Sequence, residues 1–269
     1  MSETPEHAEA ESVDDPNAYT GRPSFISTVA DYFDIPCSAD FFFSVRGAEN
    51  VHIYLWVAKD LGWTAGNEFL GMTAGVAALL WIGVLLFNAI SVGCTEDAYM
   101  LIPMFLWLFG NFWWMEGEFI NDDDDVHGPQ AGDFMIAGAC FLGVYYLFLK
   151  PYNILKDDPK MTQLCLREGL IPRFSYFKTW RQYEHFHTLC WLGKDLSWDQ
   201  NNPYTYVVFM IPTVLIAADF IHMSITKPKM LIDGVHYIAQ LNWVLANAVW
   251  SMGELFYWGP DNPLSLFIL

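Results

Sequence analysis

Long uncharged segments divide the chain into alternating apolar and polar stretches. Residues 69–92 carry no charged side chain and are long enough for an α-helix to cross a hydrocarbon core of about 30 Å. Residues 98–115 and 235–253 also lack Asp, Glu, Lys and Arg and have about that length, whereas residues 134–149 are slightly shorter and end at Lys150. This pattern predicts an all-α, polytopic integral membrane protein.

Two polar motifs occur twice, at nearly the same separation. HIYLWVAKDLGW begins at His52 and HTLCWLGKDLSW at His187, an offset of 187 − 52 = 135. The motif N-x-x-W-x-x-G-E begins at Asn111 and again at Asn247, an offset of 247 − 111 = 136. Because both motifs keep register over most of each half, we interpret the chain as two tandem homologous repeats that form an internal pseudo-dimer.

The duplication and the charge distribution predict four parts. These are an acidic, largely disordered tail at 1–40, a first membrane repeat at 41–150, a basic connector at 151–180 and a second repeat at 181–269. The second repeat apparently lacks the last helix of the first, and the tail has no apolar stretch that would make it a signal peptide. Eight of the 13 basic residues lie in 150–194, which predicts a cytoplasmic connector.

The number of spans depends on the two W-x-x-K-D-x-x-W segments. If they cross the membrane, the bundle has seven spans, and the N-terminus, the connector and the loop at Lys227 and Lys229 are all cytoplasmic. If they lie flat at the interface, five spans remain and that loop falls outside. The charge bias therefore favours about seven spans.

The repeated polar residues share one helical face and should point into the bundle. A charged side chain near the bilayer centre costs about 3 kcal/mol or more, so this face should avoid lipid. Adjacent Lys and Asp point about 100° apart, so we predict that Lys59 pairs with Glu118 and Lys194 with Glu254. The predicted intramembrane polar network is His52, Lys59, Asp60, Asn111, Glu118, His187, Lys194, Asp195, Asn247 and Glu254, within an aromatic frame of Trp56, Trp63, Trp114, Trp191, Trp198 and Trp250.

Three classes of function fit these features. A transporter or channel for an ion or small solute would use the intramembrane charges directly. A structural or assembly protein would use them for packing specificity and would move nothing. A metal-dependent membrane enzyme is the third class, because Asp219 and His222 lie at i, i+3 on the otherwise apolar segment 204–226 and could bind a divalent metal with His236.

Composition limits the partners. The chain has a net charge of −18 with few, scattered basic residues, so nucleic acid is not an expected partner. Its 5 cysteines lack metal-site or disulfide spacing, and no cofactor is predicted apart from the metal considered above. The lipid bilayer is the predicted partner, and a homo-oligomer or a larger membrane complex is compatible with the sequence.

Overall fold

Seven α-helices make up the part of the chain that the computed structural model describes, which is residues 45–121, 127–155, 177, 180–226 and 231–257. No strand occurs within these residues, so the all-α prediction is confirmed. The predicted tail at 1–40 lies outside the described residues, as does most of the connector at 151–180. The helices are α1 (Val45–Thr64), α2 (Glu68–Val92), α3 (Thr95–Asn121), α4 (His127–Val144), α5 (Trp180–Asp199), α6 (Pro203–Thr226) and α7 (Leu231–Met252).

Two helices end in π-helical turns. Tyr145–Leu149 extends α4, and Gly253–Tyr257 extends α7. With these extensions, each apolar segment seen in the sequence lies within a single helical unit.

Four helices are long and apolar enough to cross a membrane, which makes this a multipass membrane protein by length and composition. They contain the segments Glu68–Ser91, Thr95–Ile120, His127–Leu149 and Pro203–Ile225. Large apolar side chains cover their outer faces; Phe69, Leu80 and Phe87 on α2 are all highly exposed. Such a face is suited to lipid contact. The helices α1, α5 and α7 do not meet the same criterion among the described residues, so the count of seven spans stays a prediction.

Each helix packs against the next in sequence, and α1 also contacts α7. Two- or three-residue turns join α1 to α2, α2 to α3 and α5 to α6, so these neighbours run antiparallel. The odd-numbered helices meet at the centre of the bundle through their tryptophans. This arrangement places the repeated motifs, all of which are on odd-numbered helices, in the interior.

The turns after α1 and α5 have the same backbone geometry. Gly66 has φ 61° and Asn201 has φ 52°, at an offset of 201 − 66 = 135. Both turns make the paired backbone hydrogen bonds of a Schellman motif. Asn67 and Asn202 follow, and each side-chain oxygen accepts from the backbone N–H three residues later, at 3.0 Å and 3.2 Å. The sequence offset is therefore accompanied by matching local structure.

Candidate functional site

A first layer of tryptophans fills the centre of the bundle with one ring from each odd-numbered helix. Its members are Trp56, Trp107, Trp191 and Trp243, all of which are in mutual contact except for Trp107 and Trp243. The ring centroids in contact are 4.9 to 5.8 Å apart. Edge and tilted contacts of this kind are favourable for aromatic rings.

A second layer lies seven residues further along each helix, since 63 − 56 = 7 and 250 − 243 = 7. Seven residues of helix rise roughly 10 Å. The rings form a closed circle with centroid distances of 5.8, 5.0, 6.3 and 5.8 Å. In order around the circle, the members are Trp63, Trp114, Trp198 and Trp250.

Two Lys–Asp ion pairs lie between the tryptophan layers. Lys59 pairs with Asp60, and Lys194 pairs with Asp195. The lysines are buried, at 2% and 3% exposure, although each is a charged residue in an apolar bundle. The Lys59 ammonium also lies 4.9 Å from the centre of the Trp63 ring, a cation–π distance.

The carboxylates of these pairs are held by tryptophans from the opposite half of the chain. Trp243 donates its indole N–H to Asp60 at 2.6 Å, and Trp107 donates to Asp195 at 2.8 Å. The two donors are separated by 243 − 107 = 136 and the two acceptors by 195 − 60 = 135. Residues at matching sequence positions thus make matching bonds, and each bond joins one half of the chain to the other.

A cavity of about 20 Å³ separates the two ion pairs. About one water-sized sphere of space is the minimum for a buried water, so this cavity has room for a water molecule. It is lined by six residues of the first half and the six at equivalent positions of the second: Trp56, Lys59, Asp60, Trp107, Leu108 and Asn111, with Trp191, Lys194, Asp195, Trp243, Val244 and Asn247.

The predicted pairing of Lys59 with Glu118 and of Lys194 with Glu254 is wrong. Both glutamates are exposed. Glu118 accepts from the Trp63 indole at 2.5 Å, and Glu254 accepts from Trp198 at 2.7 Å. The prediction assumed that the lysine ammonium lies along the direction of the Cα–Cβ bond.

A lysine stem is long and flexible, so a buried ammonium can curl back to the carboxylate of the next residue. An exposed glutamate can instead keep part of its hydration. The second tryptophan layer therefore carries acidic residues at its outer edge rather than completing the ion pairs.

The two asparagines of the predicted network lie beside the cavity. Asn247 donates to the Trp243 backbone carbonyl at 3.2 Å and reaches the Asp60 carboxylate at 3.4 Å. Asn111 donates to the Trp107 carbonyl at 3.1 Å, which is the equivalent backbone bond. These bonds hold both amides at the edge of the charged layer.

The two repeated histidines lie on the far side of the first layer and do not line the cavity. His52 contacts the edge of the Trp56 ring at a centroid distance of 4.6 Å. His187 Nε2 lies 3.1 Å from the Trp191 indole nitrogen and 2.9 Å from the Thr213 carbonyl oxygen. One ring nitrogen can accept from the indole or donate to the carbonyl, so its tautomer decides which bond forms.

Two of the three residues of the predicted metal site have other hydrogen-bond partners. Asp219 accepts from the Tyr183 hydroxyl at 3.2 Å, and His236 Nδ1 lies 2.6 Å from the Tyr54 hydroxyl oxygen. His222 is partly buried on α6. Within the described ranges no three His, Cys, Asp or Glu side chains gather as metal ligands, so this prediction gains no support from the geometry.

Trp107 and Trp243 are site residues that the motif comparison missed. Both lie four residues before the paired asparagines, so the second motif extends to W-x-x-x-N-x-x-W-x-x-G-E. Aligning further toward the N-terminus would have found them.

No protein-family model, curated protein or solved structure matches the chain. The site is therefore interpreted from its own chemistry.

Proposed function

We propose that this multipass membrane protein moves a small ion or solute across the bilayer through the cavity between its two Lys–Asp pairs. The observation that carries the proposal is that both pairs, each with a buried lysine, line that cavity at matching positions of the two halves. Trp107 and Asn111, which line it, are near the middle of the apolar segment Thr95–Ile120. That depth is where transporters bind their substrates.

The energetics favour a functional role for these charges. Ionisable side chains inside a membrane cost about 3 kcal/mol or more each and are usually found along ion pathways. A buried ion pair seldom stabilises a fold more than apolar residues of the same size would. A role in binding an ion or solute therefore explains two such pairs beside a water-sized space better than a role in stabilising the fold does.

The two tryptophan layers would close the route on both sides of the cavity. The second layer is a closed circle, and its outer edge carries Glu118 and Glu254. A path through this layer requires the rings to move apart. We accordingly propose a gated transporter rather than an open pore.

Flux measurements in liposomes test the proposal. Purified protein should move at least one of protons, potassium, sodium or chloride faster than protein-free liposomes do. The variant Lys194→Met/Asp195→Asn removes one ion pair while keeping similar side-chain volumes, and it should lose this flux. Glu68→Gln, at the exposed start of α2, is the matched control and should keep it. Wild-type protein that moves none of these ions would refute the proposal for small ions.

A structural or assembly role is the second candidate, and one observation favours it. Each Asp carboxylate has a lysine partner and a tryptophan donor. Polar groups that only stabilise a core are expected to be hydrogen-bonded in this way. Such a protein would show no flux, and the neutralised variant would bind its membrane partners as the wild type does.

A further inference from the structure

Two buried polar groups near the cavity have no hydrogen-bond partner among the residues that the structure describes. They are the indole N–H of Trp56, which is 1% exposed, and the side-chain carbonyl of Gln240, which is 7% exposed. Trp191, at the position equivalent to Trp56, has the His187 Nε2 atom 3.1 Å from its indole nitrogen. Buried polar groups in proteins are nearly always bonded, and buried water supplies the partner where the protein does not. A bound water at each of these two groups would supply the hydrogen bond that the described residues do not.

Gln240 belongs to a polar stripe on α7 that leads from the surface to the cavity. His236, Gln240, Trp243 and Asn247 follow one another at i, i+4, i+7 and i+11, so they share one helical face. At the outer end, Tyr54 is 42% exposed and contacts His236.

The inner end of the stripe reaches the charged layer. Trp243 and Asn247 line the cavity, and both donate to the Asp60 carboxylate. The unbonded Trp56 indole belongs to the same wall. Polar groups therefore extend from the partly exposed Tyr54 hydroxyl to the partly buried Asp60 carboxylate.

The equivalent stripe on α3 is apolar at its outer end. Subtracting the offset gives 236 − 136 = 100 and 240 − 136 = 104, which are Met100 and Met104. Met100 is buried in the apolar core. The halves match at the cavity and differ along the approach to it, so the polar approach belongs to the α1–α7 side.

We propose that water molecules along this α7 stripe carry protons between the end of the bundle where α7 begins and the Asp60 carboxylate, so that the proton is the species moved. This inference rests on the proposed transport function. The cavity has room for a water molecule beside Asp60, as this route requires.

The proton transfer is balanced without any other reactant. Each water accepts a proton on one side and releases one on the other, so its own composition is unchanged. The last water protonates the Asp60 carboxylate, which becomes a neutral acid while Lys59 keeps its charge. Net movement is completed when Asp60 releases this proton on the opposite side, toward the second tryptophan layer whose outer edge carries Glu118 and Glu254, which restores the Asp60 carboxylate. His236 and Gln240 are positioning residues, since they hold the water by hydrogen bonds.

The test converts the α7 stripe to its α3 counterpart. His236→Met/Gln240→Met should reduce proton flux, measured with a pH-sensitive dye in liposomes under an imposed pH gradient, to the level of protein-free liposomes. The thermal midpoint in detergent should change little, because both positions accept methionine in the other half of the chain. Asn242→Met alters an exposed residue of the same helix and should keep the proton flux.

The outcomes separate this inference from the proposed function. Wild-type protein that moves potassium, sodium or chloride but not protons would overturn the proton inference and leave transport standing. Wild-type protein that moves nothing would overturn both. A folded double variant with normal proton flux would refute the α7 route.

Discussion

At the scale of single residues, the two lysines that line the cavity each pair with the next residue in the sequence. The Lys59 ammonium bonds to Asp60, and the same contact recurs between Lys194 and Asp195. Each pair is neutral and local, so no charge needs a counter-ion from another helix. The interhelical contact comes from an uncharged donor, the indole of Trp243 or Trp107.

A double-mutant cycle on the first pair tests this local pairing. Lys59→Met or Asp60→Asn leaves one buried charge without its counter-ion, and each should lower the free energy of unfolding by about 3 to 5 kcal/mol. The double variant should regain part of that loss, because neither charge remains. Unfolding in mixed detergent micelles measures all three variants. The control cycle, Lys59→Met with Glu118→Gln, should be additive, and strong coupling there would contradict the assignment.

The Trp107 indole donates to a buried carboxylate, whereas the Trp63 indole donates to an exposed one. Trp107→Phe leaves the buried Asp195 carboxylate short of one donor, which should cost about 1 to 3 kcal/mol. Trp63→Phe removes a donor from the exposed Glu118, where water replaces it, and should cost less. Both changes keep an aromatic ring. Equal losses of thermal stability in the two variants would count against a special role for the charged layer.

At the scale of elements, the α1–α2 hairpin depends on close backbone contact. Gly62 on α1 lies so near Gly71 on α2 that an added Cβ would lie 2.4 Å from the Gly71 backbone nitrogen. Backbone atoms cannot move aside without shifting a helix. Small residues permit this kind of approach between membrane helices.

Two alanine substitutions test the contact. Gly62→Ala should destabilise the bundle because the two helices must separate. Gly83→Ala on α2 has no atom within 4 Å of its added Cβ and should be neutral or stabilise by up to about 1 kcal/mol through helix propensity. Thermal unfolding in detergent measures both variants. Similar midpoints for the two would show that the hairpin tolerates a wider spacing.

The apolar segments were predictable from the sequence, whereas the bonds of the site were not. The uncharged segment at residues 69–92 predicts α2 almost to its ends. An apolar run of that length is typical of a membrane-spanning helix. The Trp243–Asp60 bond joins residues 183 positions apart and follows from how the halves pack. Lysine pairing depended on side-chain flexibility, which a helical projection ignores.

At the scale of the whole molecule, the packing gives the bundle two distinct ends. The first residues of α1, α3, α5 and α7 lie at one end because successive helices alternate in direction. The last residues of α3 and the first residues of α4 lie at the other. The sequence that leads into α5 is rich in positive charge, so the positive-inside rule predicts that the end where the odd-numbered helices begin is cytoplasmic.

Thiol labelling in intact cells tests this orientation. In a background without native cysteines, single cysteines placed in residues 1–20 and beside Lys227 should be protected from an impermeant reagent. A cysteine at Asp123 should react. In permeabilised cells, all three cysteines should react. Labelling of the N-terminal tail in intact cells would contradict the seven-span topology, and so would protection at all three positions in intact cells.

The crossed indole bonds also have a genetic consequence. Trp107 donates to Asp195 and Trp243 donates to Asp60, so replacing either tryptophan removes a hydrogen bond from an aspartate in the other half of the chain. Second-site suppressors of a change at Trp107 should therefore map near Asp195 and not near Asp60, although both aspartates occupy the same place in their own halves.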